Sequence, residues 1–207
     1  MQIDFLDRLP APLSRAALRL QVAALKEKLL PVLGRADRAE AVLSPGLAPD
    51  RCLAAVLGPE LVGAAAVQAM AGSFLNPNYK SMTDEYGLVG GCYRLWGLFL
   101  LHHPTGVDEW HLDGIAVKEG MRGRGIGTGL VRALEGEARK KGIKKLSLEV
   151  VDSNPRAKAL YERLGFVEAG RRSIRPFNLV YGFSFGSATL MVKSLTGSGA
   201  ASVTRTQ

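Results

Sequence analysis

Cysteine is scarce in this chain of 207 residues. The sequence has two cysteines, Cys52 and Cys92, and no Cys-x-x-Cys pair. Two cysteines are too few for a disulfide framework, and without the paired spacing they do not form a zinc or redox motif. Both lie in apolar stretches, so we expect both to be buried and the protein to work in a reducing compartment, the cytoplasm.

Long apolar runs are also missing. The most apolar window, residues 86–101, contains Arg94 and falls short of the about 20 apolar residues that a membrane-spanning helix needs. The N-terminus carries Asp4 and Asp7, and no basic segment followed by an apolar one, so we expect no signal peptide. The sequence therefore predicts no membrane partner.

Negative charge is the minority sign. The chain has 27 Lys and Arg against 19 Asp and Glu, a net charge of +8, while 47% of its residues are hydrophobic. This composition is typical of one soluble globular domain. The excess of positive charge favours anionic ligands such as phosphates. It is spread along the chain without a nucleic-acid-binding motif, so we predict no nucleic-acid partner.

Hydrophobic periodicity divides the first half of the chain into four segments. Apolar residues at helical spacing predict an amphipathic helix over residues 12–33, with Lys28 on its polar side. Two β-like runs, 52–57 and 61–70, predict a hairpin. A loop over 72–80 then leads to a helix over 83–101.

The second half follows a regular β-α-β-α order. The predicted elements are a strand at 110–117, a helix ending near 141, a strand at 145–151, a helix between Asn154 and Gly165, and strands at 166–174 and 184–193. The crossover helix predicts that strands 110–117 and 145–151 are parallel. Asn154 suits the N-cap of its helix, and Gly165 suits the left-handed position after the last turn.

A glycine-rich loop joins the first of these strands to its helix. It reads Arg122-Gly123-Arg124-Gly125-Ile126-Gly127-Thr128-Gly129. Glycines let successive N–H groups converge on an anion at the positive end of a helix, so the loop suits a pyrophosphate, although a plain tight turn would also explain it. Ile126 stands where a Walker loop needs lysine, and Thr128 stands where a dinucleotide fingerprint needs glycine.

The remaining pattern, Arg122-x-x-Gly125-x-Gly127, resembles the phosphate loop of the GCN5-related N-acetyltransferase (GNAT) family. The runs 111–117 and 154–166 are similar to that family's fourth strand and to its second cofactor-contacting motif, so the resemblance covers about 108–170. It implies an α/β (α+β) fold with a mixed, mostly antiparallel sheet, splayed between strands 4 and 5 and flanked by helices. We expect one domain over 1–195 with a helical insertion at about 83–101, and a disordered tail at 196–207.

The resemblance also implies how acetyl-CoA is held. Backbone groups of Ile115, Ala116 and Val117 would hold the pantetheine arm. The pyrophosphate would lie on the loop residues, which are Arg122, Gly123, Arg124, Gly125, Ile126, Gly127 and Thr128. Asn154 would hydrogen-bond the pantetheine, and Tyr161 would protonate the departing thiolate. On spacing alone, a helix cap before proline fully explains Asn154, and a core position explains Tyr161 as well as an acid does.

A base is needed as well, because an amine must lose a proton when it attacks a thioester. Strand alternation predicts one shared face for Glu109, His111, Asp113, Ile115 and Val117. Asp113 is the first choice, since it matches an acidic residue that acts as base in some relatives. A water relay through Glu109 or His111 fits the spacing too, and Asp113 would also fit a salt bridge with Arg94 or Arg171.

Taken together, the residues and the resemblance predict an enzyme that moves an acetyl group from acetyl-CoA to a primary amine by direct attack. A backbone N–H near Val117 would stabilise the carbonyl oxygen. The acceptor is a small molecule or a peptide, and the alternative is a catalytically silent acyl-CoA-binding sensor or partner module. The histidines show no metal-ligand spacing, so we predict no metal. The resemblance is also compatible with a homodimer.

Overall fold

The computed structural model describes residues 2–196. Its strands are β1 (Asp4–Leu6), β2 (Cys52–Leu57), β3 (Glu60–Gln68), β4 (Glu109–Val117), β5 (Lys145–Val151), β6 (Val167–Ser173) and β7 (Ser187–Ser194). Its helices are α1 (Ser14–Ala24), α2 (Lys26–Leu33), α3 (Ala36–Leu43), α4 (Tyr79–Leu100), α5 (Ile126–Lys140), α6 (Pro155–Arg163) and α7 (Phe177–Tyr181). None of the helices in this range is long and apolar enough to cross a membrane.

The strands form one sheet in the order β1-β2-β3-β4-β5-β7-β6. Every neighbouring pair is antiparallel except β4 and β5, which are parallel. The parallel pairing runs from Glu109 opposite Lys145 to Leu112 opposite Leu148 and stops there. The predicted α/β fold, with a mixed, mostly antiparallel sheet that opens between strands 4 and 5, is therefore confirmed.

A β-bulge in β4 changes which way its side chains point. Ala66 of β3 pairs with Gly114, whereas the next residue, Val67, pairs with Leu112, so Asp113 has no partner residue. An extra residue in one strand shifts the side-chain alternation by one position. The prediction of one shared face is therefore wrong for Ile115 and Val117, which pack with the core on the α5 side of the sheet.

Helices cover both faces of the sheet. On one face, α5 buries Ile126, Leu130 and Leu134 against β2–β5, and α6 packs nearby. On the other face, α1 to α4 form a second apolar cluster that includes Leu18, Leu33 and other buried residues. Since β4 and β5 lie in the middle of the sheet, the place where they part is enclosed by helices from both sides.

Several predicted elements differ from the observed ones. The predicted helix 12–33 is two helices, because Leu25 leaves helical geometry (φ −98°, ψ 18°) and its side chain lies against the backbone of Gly114. The helix predicted over 83–101 begins earlier, at Asn78, whose side chain accepts a hydrogen bond from the Ser81 N–H, and it kinks at Gly87 (φ 71°).

Three further outcomes of the sequence predictions concern short elements, the two cysteines and the C-terminal tail. Three elements were not predicted from the sequence, namely β1, α3 and α7, and β1 and α7 are the shortest strand and the shortest α-helix of the described chain. Cys52 is buried as predicted, but Cys92 is exposed on α4, so that prediction is wrong for Cys92. The tail predicted to be disordered lies outside the described residues from residue 197 onward.

Candidate active site

A mostly apolar cavity of about 380 Å³ lies on the helix-covered face of the sheet where β4 and β5 part. Its apolar wall comes from α2, α3, the 73–77 loop and α4, and includes Leu25, Leu29, Leu43, Leu75, Leu95 and Leu98. Its polar groups are fewer, and Asp113 and Glu149 are among them. These two residues directly follow the last β4–β5 pair, so the cavity reaches the opening between the strands.

Asp113 presents its carboxylate to this cavity from the bulge. The Ser73 hydroxyl donates a hydrogen bond to its Oδ2 atom at 2.5 Å. Burial raises the pKa of Asp113 to about 6, although the Ser73 hydrogen bond and the charge of Lys28 act in the opposite direction. A carboxylate with this pKa is ionised at neutral pH and is a stronger base than an exposed aspartate.

The two arginines suggested as salt-bridge partners for Asp113 are engaged elsewhere. The Arg94 guanidinium lies over the Tyr86 ring, 4.0 Å from its centroid. Arg171 donates to the Ser187 hydroxyl at 2.9 Å. Asp113 therefore faces the cavity without a direct arginine partner among the described residues.

His111 and Glu109, the alternatives for a water relay, differ in where they lie. His111 lines the cavity, and burial lowers its pKa to about 2, so its imidazole is neutral at physiological pH. Its Nδ1 is 3.0 Å from the Ser147 hydroxyl. Glu109 does not belong to the lining of this cavity, since its carboxylate accepts from Ser147 and pairs with Lys145 at 2.6 Å.

Three further residues of the cavity region escaped the sequence reasoning. Lys28 and Glu149 line the cavity, and Ser73 holds Asp113. Sequence periodicity placed Lys28 on the polar side of one continuous helix. The break at Leu25 separates α2 from α1, so that placement does not apply. Ser73 belongs to a loop without periodicity. Its neighbours Asn76 and Asn78 indicated only a turn.

The glycine loop has the geometry of an anion site. Gly123 and Gly125 have φ values of 75° and 78°, which glycine adopts without strain. Among residues 2–196 no side chain caps α5, which begins at Ile126, so none of them provides a side-chain acceptor for the N–H groups of its first turn. These N–H groups and the positive end of the helix dipole suit a phosphate.

Beside this loop, the edge of β4 that faces β5 is unpaired beyond Leu112, and the space along this edge is called the donor groove below. A methyl group built on Gly127 would meet only Ile115 and Val117, at 3.9 and 4.0 Å, so the space in front of Gly127 is open. β4 has no β5 partner beyond Leu112, which leaves backbone groups there for a ligand. The residues therefore fit a pyrophosphate on the loop followed by an extended arm along β4.

Asn154 and Tyr161 both lie on α6 or at its start. The Asn154 side chain accepts from the Ala157 N–H at 3.1 Å, so its interpretation as a helix cap is confirmed. Tyr161 packs edge-on against Phe166, with ring centroids 5.7 Å apart, and its hydroxyl forms no hydrogen bond within residues 2–196. Burial raises the pKa of Tyr161 to about 12.

Known proteins share sequence with this chain. Residues 35–166 match the acetyltransferase (GNAT) family, so the chain belongs to the GNAT acetyltransferase family. Over 71 residues it is 45% identical to the [ribosomal protein bS18]-alanine N-acetyltransferase of Escherichia coli, a match that covers 34% of this chain and 48% of the relative. Over 77 residues it is 36% identical to the bovine (Bos taurus) thialysine N-epsilon-acetyltransferase, covering 37% and 45% of the two chains.

The fold extends further than these sequence matches. The chain spans about half the length of the curated relatives it matches. The crystal structure of the ribosomal-protein-S18-alanine N-acetyltransferase from Escherichia coli is nevertheless similar over 97% of this chain and 98% of that one, with a TM-score of 0.58 and 20% identity. At this identity the likeness shows a shared fold.

Proposed function

We propose that this protein transfers the acetyl group of acetyl-CoA to a primary amine by direct attack. One observation carries the proposal: a glycine-rich loop at the uncapped start of α5 and a cavity with a buried carboxylate meet along the same strand, β4. A two-substrate transfer needs a donor site and an acceptor site that share one opening. We further propose that residues 1–195 act as one domain, with α4 as an insertion that covers the acceptor side.

On the acceptor side, Asp113 is proposed as the base. An acceptor in the cavity would place its amine near the bulge, where the carboxylate takes the proton that the nitrogen loses as its bond to the acetyl carbon forms. The Ser73 hydroxyl fixes the orientation of this carboxylate. His111, held neutral, would accept a hydrogen bond from the amine or from a water molecule, without competing as a cation.

On the donor side, acetyl-CoA supplies an acetyl thioester, which is activated toward amines. The first turn of α5 and the loop from Arg122 to Thr128 would hold the pyrophosphate, and the edge of β4 at Ile115, Ala116 and Val117 would hold the pantetheine arm. Tyr161 would donate a hydrogen bond to the sulfur as the carbon–sulfur bond breaks. Asn154 already serves as a cap, and its amide would add a contact to the pantetheine.

The first measurement is thermal unfolding with acetyl-CoA, CoA, NAD and ATP in parallel. A ligand that binds only the folded state at about 100 times its Kd stabilises it by about 2.7 kcal/mol, or roughly 5–10 °C for a chain of this size. We expect this shift with both CoA species. No shift with either CoA species would refute the donor site. A shift without acetyl transfer to any amine would favour the sensor alternative.

Gly127→Ala tests the donor groove without disturbing the fold. Alanine is a better helix former than glycine, and the added methyl makes only ordinary contacts, so we expect an unchanged or slightly higher Tm in the absence of ligand. The methyl enters the groove, so the stabilisation by acetyl-CoA should fall. Gly136→Ala, at an open position of the same helix, is the matched control and should keep the full acetyl-CoA shift. Equal shifts in both variants would argue against a ligand in front of Gly127.

A further inference from the structure

Lys28 is a cation inside the proposed acceptor cavity. It lines the cavity together with Asp113 and Glu149, and within residues 2–196 it forms no hydrogen bond or ion pair. The Coulomb attractions of Glu149 and Asp113 act on it, but burial outweighs them and lowers its pKa. A cation in a mostly apolar cavity without a direct partner is costly unless a ligand supplies the opposite charge.

Glu149 does not supply that opposite charge alone, because it already pairs with another cation. Arg172 donates to its Oε2 atom at 3.2 Å, and the Nδ1 atom of His103 lies 3.7 Å from its Oε1. In the part of the chain that the structure describes, Asp113 accepts a hydrogen bond only from the Ser73 hydroxyl. Within residues 2–196, the cavity therefore offers one lysine amine and one carboxylate that lack a charged partner in direct contact.

The rest of the wall is hydrophobic. Leucines from α2, α3 and α4 and from the 73–77 loop form most of it, and the volume of about 380 Å³ is in the range of small-molecule sites. A polyamine or an amino sugar would leave these leucines against polar groups or water. Leu95 and Leu98 of α4 close one side, which leaves less room for a protein chain than an open groove would.

We propose that the acceptor is a free amino acid with an apolar side chain, whose carboxylate binds the Lys28 ammonium while its amine faces Asp113. The apolar side chain packs against the leucines. This inference rests on the proposed acetyl transfer, and it goes further by assigning Lys28 as the residue that selects the acceptor. A peptide N-terminus lacks the free α-carboxylate, so it is a poorer match to this cavity.

The test compares amines that differ only in the carboxylate. L-Leucine is paired with 3-methylbutylamine and with L-leucinamide, and L-phenylalanine is paired with 2-phenylethylamine, each with saturating acetyl-CoA. A hydrogen bond between charged groups corresponds to about 10–100-fold in affinity, so we expect kcat/KM to favour each amino acid by at least about tenfold. An enzyme that acetylates the decarboxylated amines as well as the amino acids would overturn the inference and leave the transferase function standing.

Lys28→Met supplies the second arm. The variant should lose the preference for each amino acid over its decarboxylated amine. The loss should come mainly from a higher KM for the amino acids, with little change for the decarboxylated amines. Lys28→Arg should restore part of the preference. Lys26→Met, which removes an exposed lysine of the same helix, should behave like the wild type. Calorimetric binding of L-leucine to the CoA-loaded protein should show the same loss in Lys28→Met.

Two outcomes separate the failure of this inference from that of the proposed function. If Lys28→Met lowers kcat/KM equally for the amino acid and the decarboxylated amine of each pair, Lys28 is structural and the inference is wrong. If the wild type neither binds CoA nor acetylates any of these amines, the proposed function fails, and the inference fails with it.

Discussion

Asp113→Asn should lower kcat/KM for the acceptor amine by about 10²- to 10⁴-fold, the range that a positioned general base contributes. The amide keeps the shape of the side chain and can still accept the Ser73 hydrogen bond, but it cannot take a proton. Acetyl-CoA should stabilise this variant as much as the wild type, because Asp113 lies on the acceptor side of β4. Steady-state kinetics and thermal unfolding measure the two effects separately.

The same substitution should make the protein more stable at neutral pH. The pKa of Asp113 is about 6 in the folded state against an ordinary value of 3.8, so ionisation opposes folding. A difference of about two pKa units corresponds to about 3 kcal/mol as an upper limit, or roughly 6–12 °C in Tm. Because the folded pKa is raised, the penalty is absent below pH 4, grows between pH 4 and 6, and is complete above pH 6.

The pH dependence of activity supplies the sharpest check on Asp113. In the wild type, kcat/KM should fall on the acid side with an inflexion near pH 6, as Asp113 becomes protonated, and this limb should be missing in Asp113→Asn. Ser73→Ala removes a hydrogen bond that stabilises the carboxylate, so it should move the inflexion to higher pH. Asp108→Asn, which alters an exposed aspartate paired with Lys144, should leave activity and the pH profile unchanged. A normal rate in Asp113→Asn would eliminate Asp113 as the base.

The segment from β4 to α6 could be predicted from the sequence because its signals are local. Gly125 marks the start of α5, Asn154 and Pro155 mark the start of α6, and the helix between two strands implies a parallel pair. Each of these signals depends on a residue and its immediate neighbours. The glycine-rich loop lies in the same stretch, whereas the opening between β4 and β5 was implied by the resemblance to the GNAT family.

The acceptor side could not be predicted in this way, because it depends on contacts between distant segments. The bulge at Asp113 arises from the pairing of β4 with β3, where Gln21 of α1 donates to the carbonyls of Ala64 and Gly114. Nothing within residues 109–117 shows that the alternation shifts there. Likewise, Lys28 has the sequence context of a surface lysine, and only the packing of α2 beside α4 and β4 brings it into a cavity.

Tyr161→Phe is the second substitution for which we expect a large effect, a decrease in kcat of about 100-fold. A phenol with a pKa of about 12 is a much weaker acid than a thiol with a pKa near 8.5, so complete proton transfer to the thiolate is uphill. The hydroxyl would act instead by a hydrogen bond that strengthens as negative charge develops on the sulfur. This hydrogen bond stabilises the transition state more than the ground state and so lowers the barrier. The Kd of acetyl-CoA should therefore change little.

The raised pKa also predicts how this step responds to pH. An acid with a pKa of about 12 stays protonated throughout the measurable range, so kcat should show no alkaline limb from Tyr161 below pH 10, and the wild-type and Tyr161→Phe profiles should be parallel. The tyrosine hydroxyl has no hydrogen-bond partner among residues 2–196, so the variant should unfold at nearly the wild-type temperature. Tyr79→Phe, at an exposed tyrosine on α4, should retain full activity. If kcat is unchanged in Tyr161→Phe while Asp113→Asn is inactive, the thiolate leaves without help from α6, and Tyr161 is a core residue that supports the packing of α6 on the sheet.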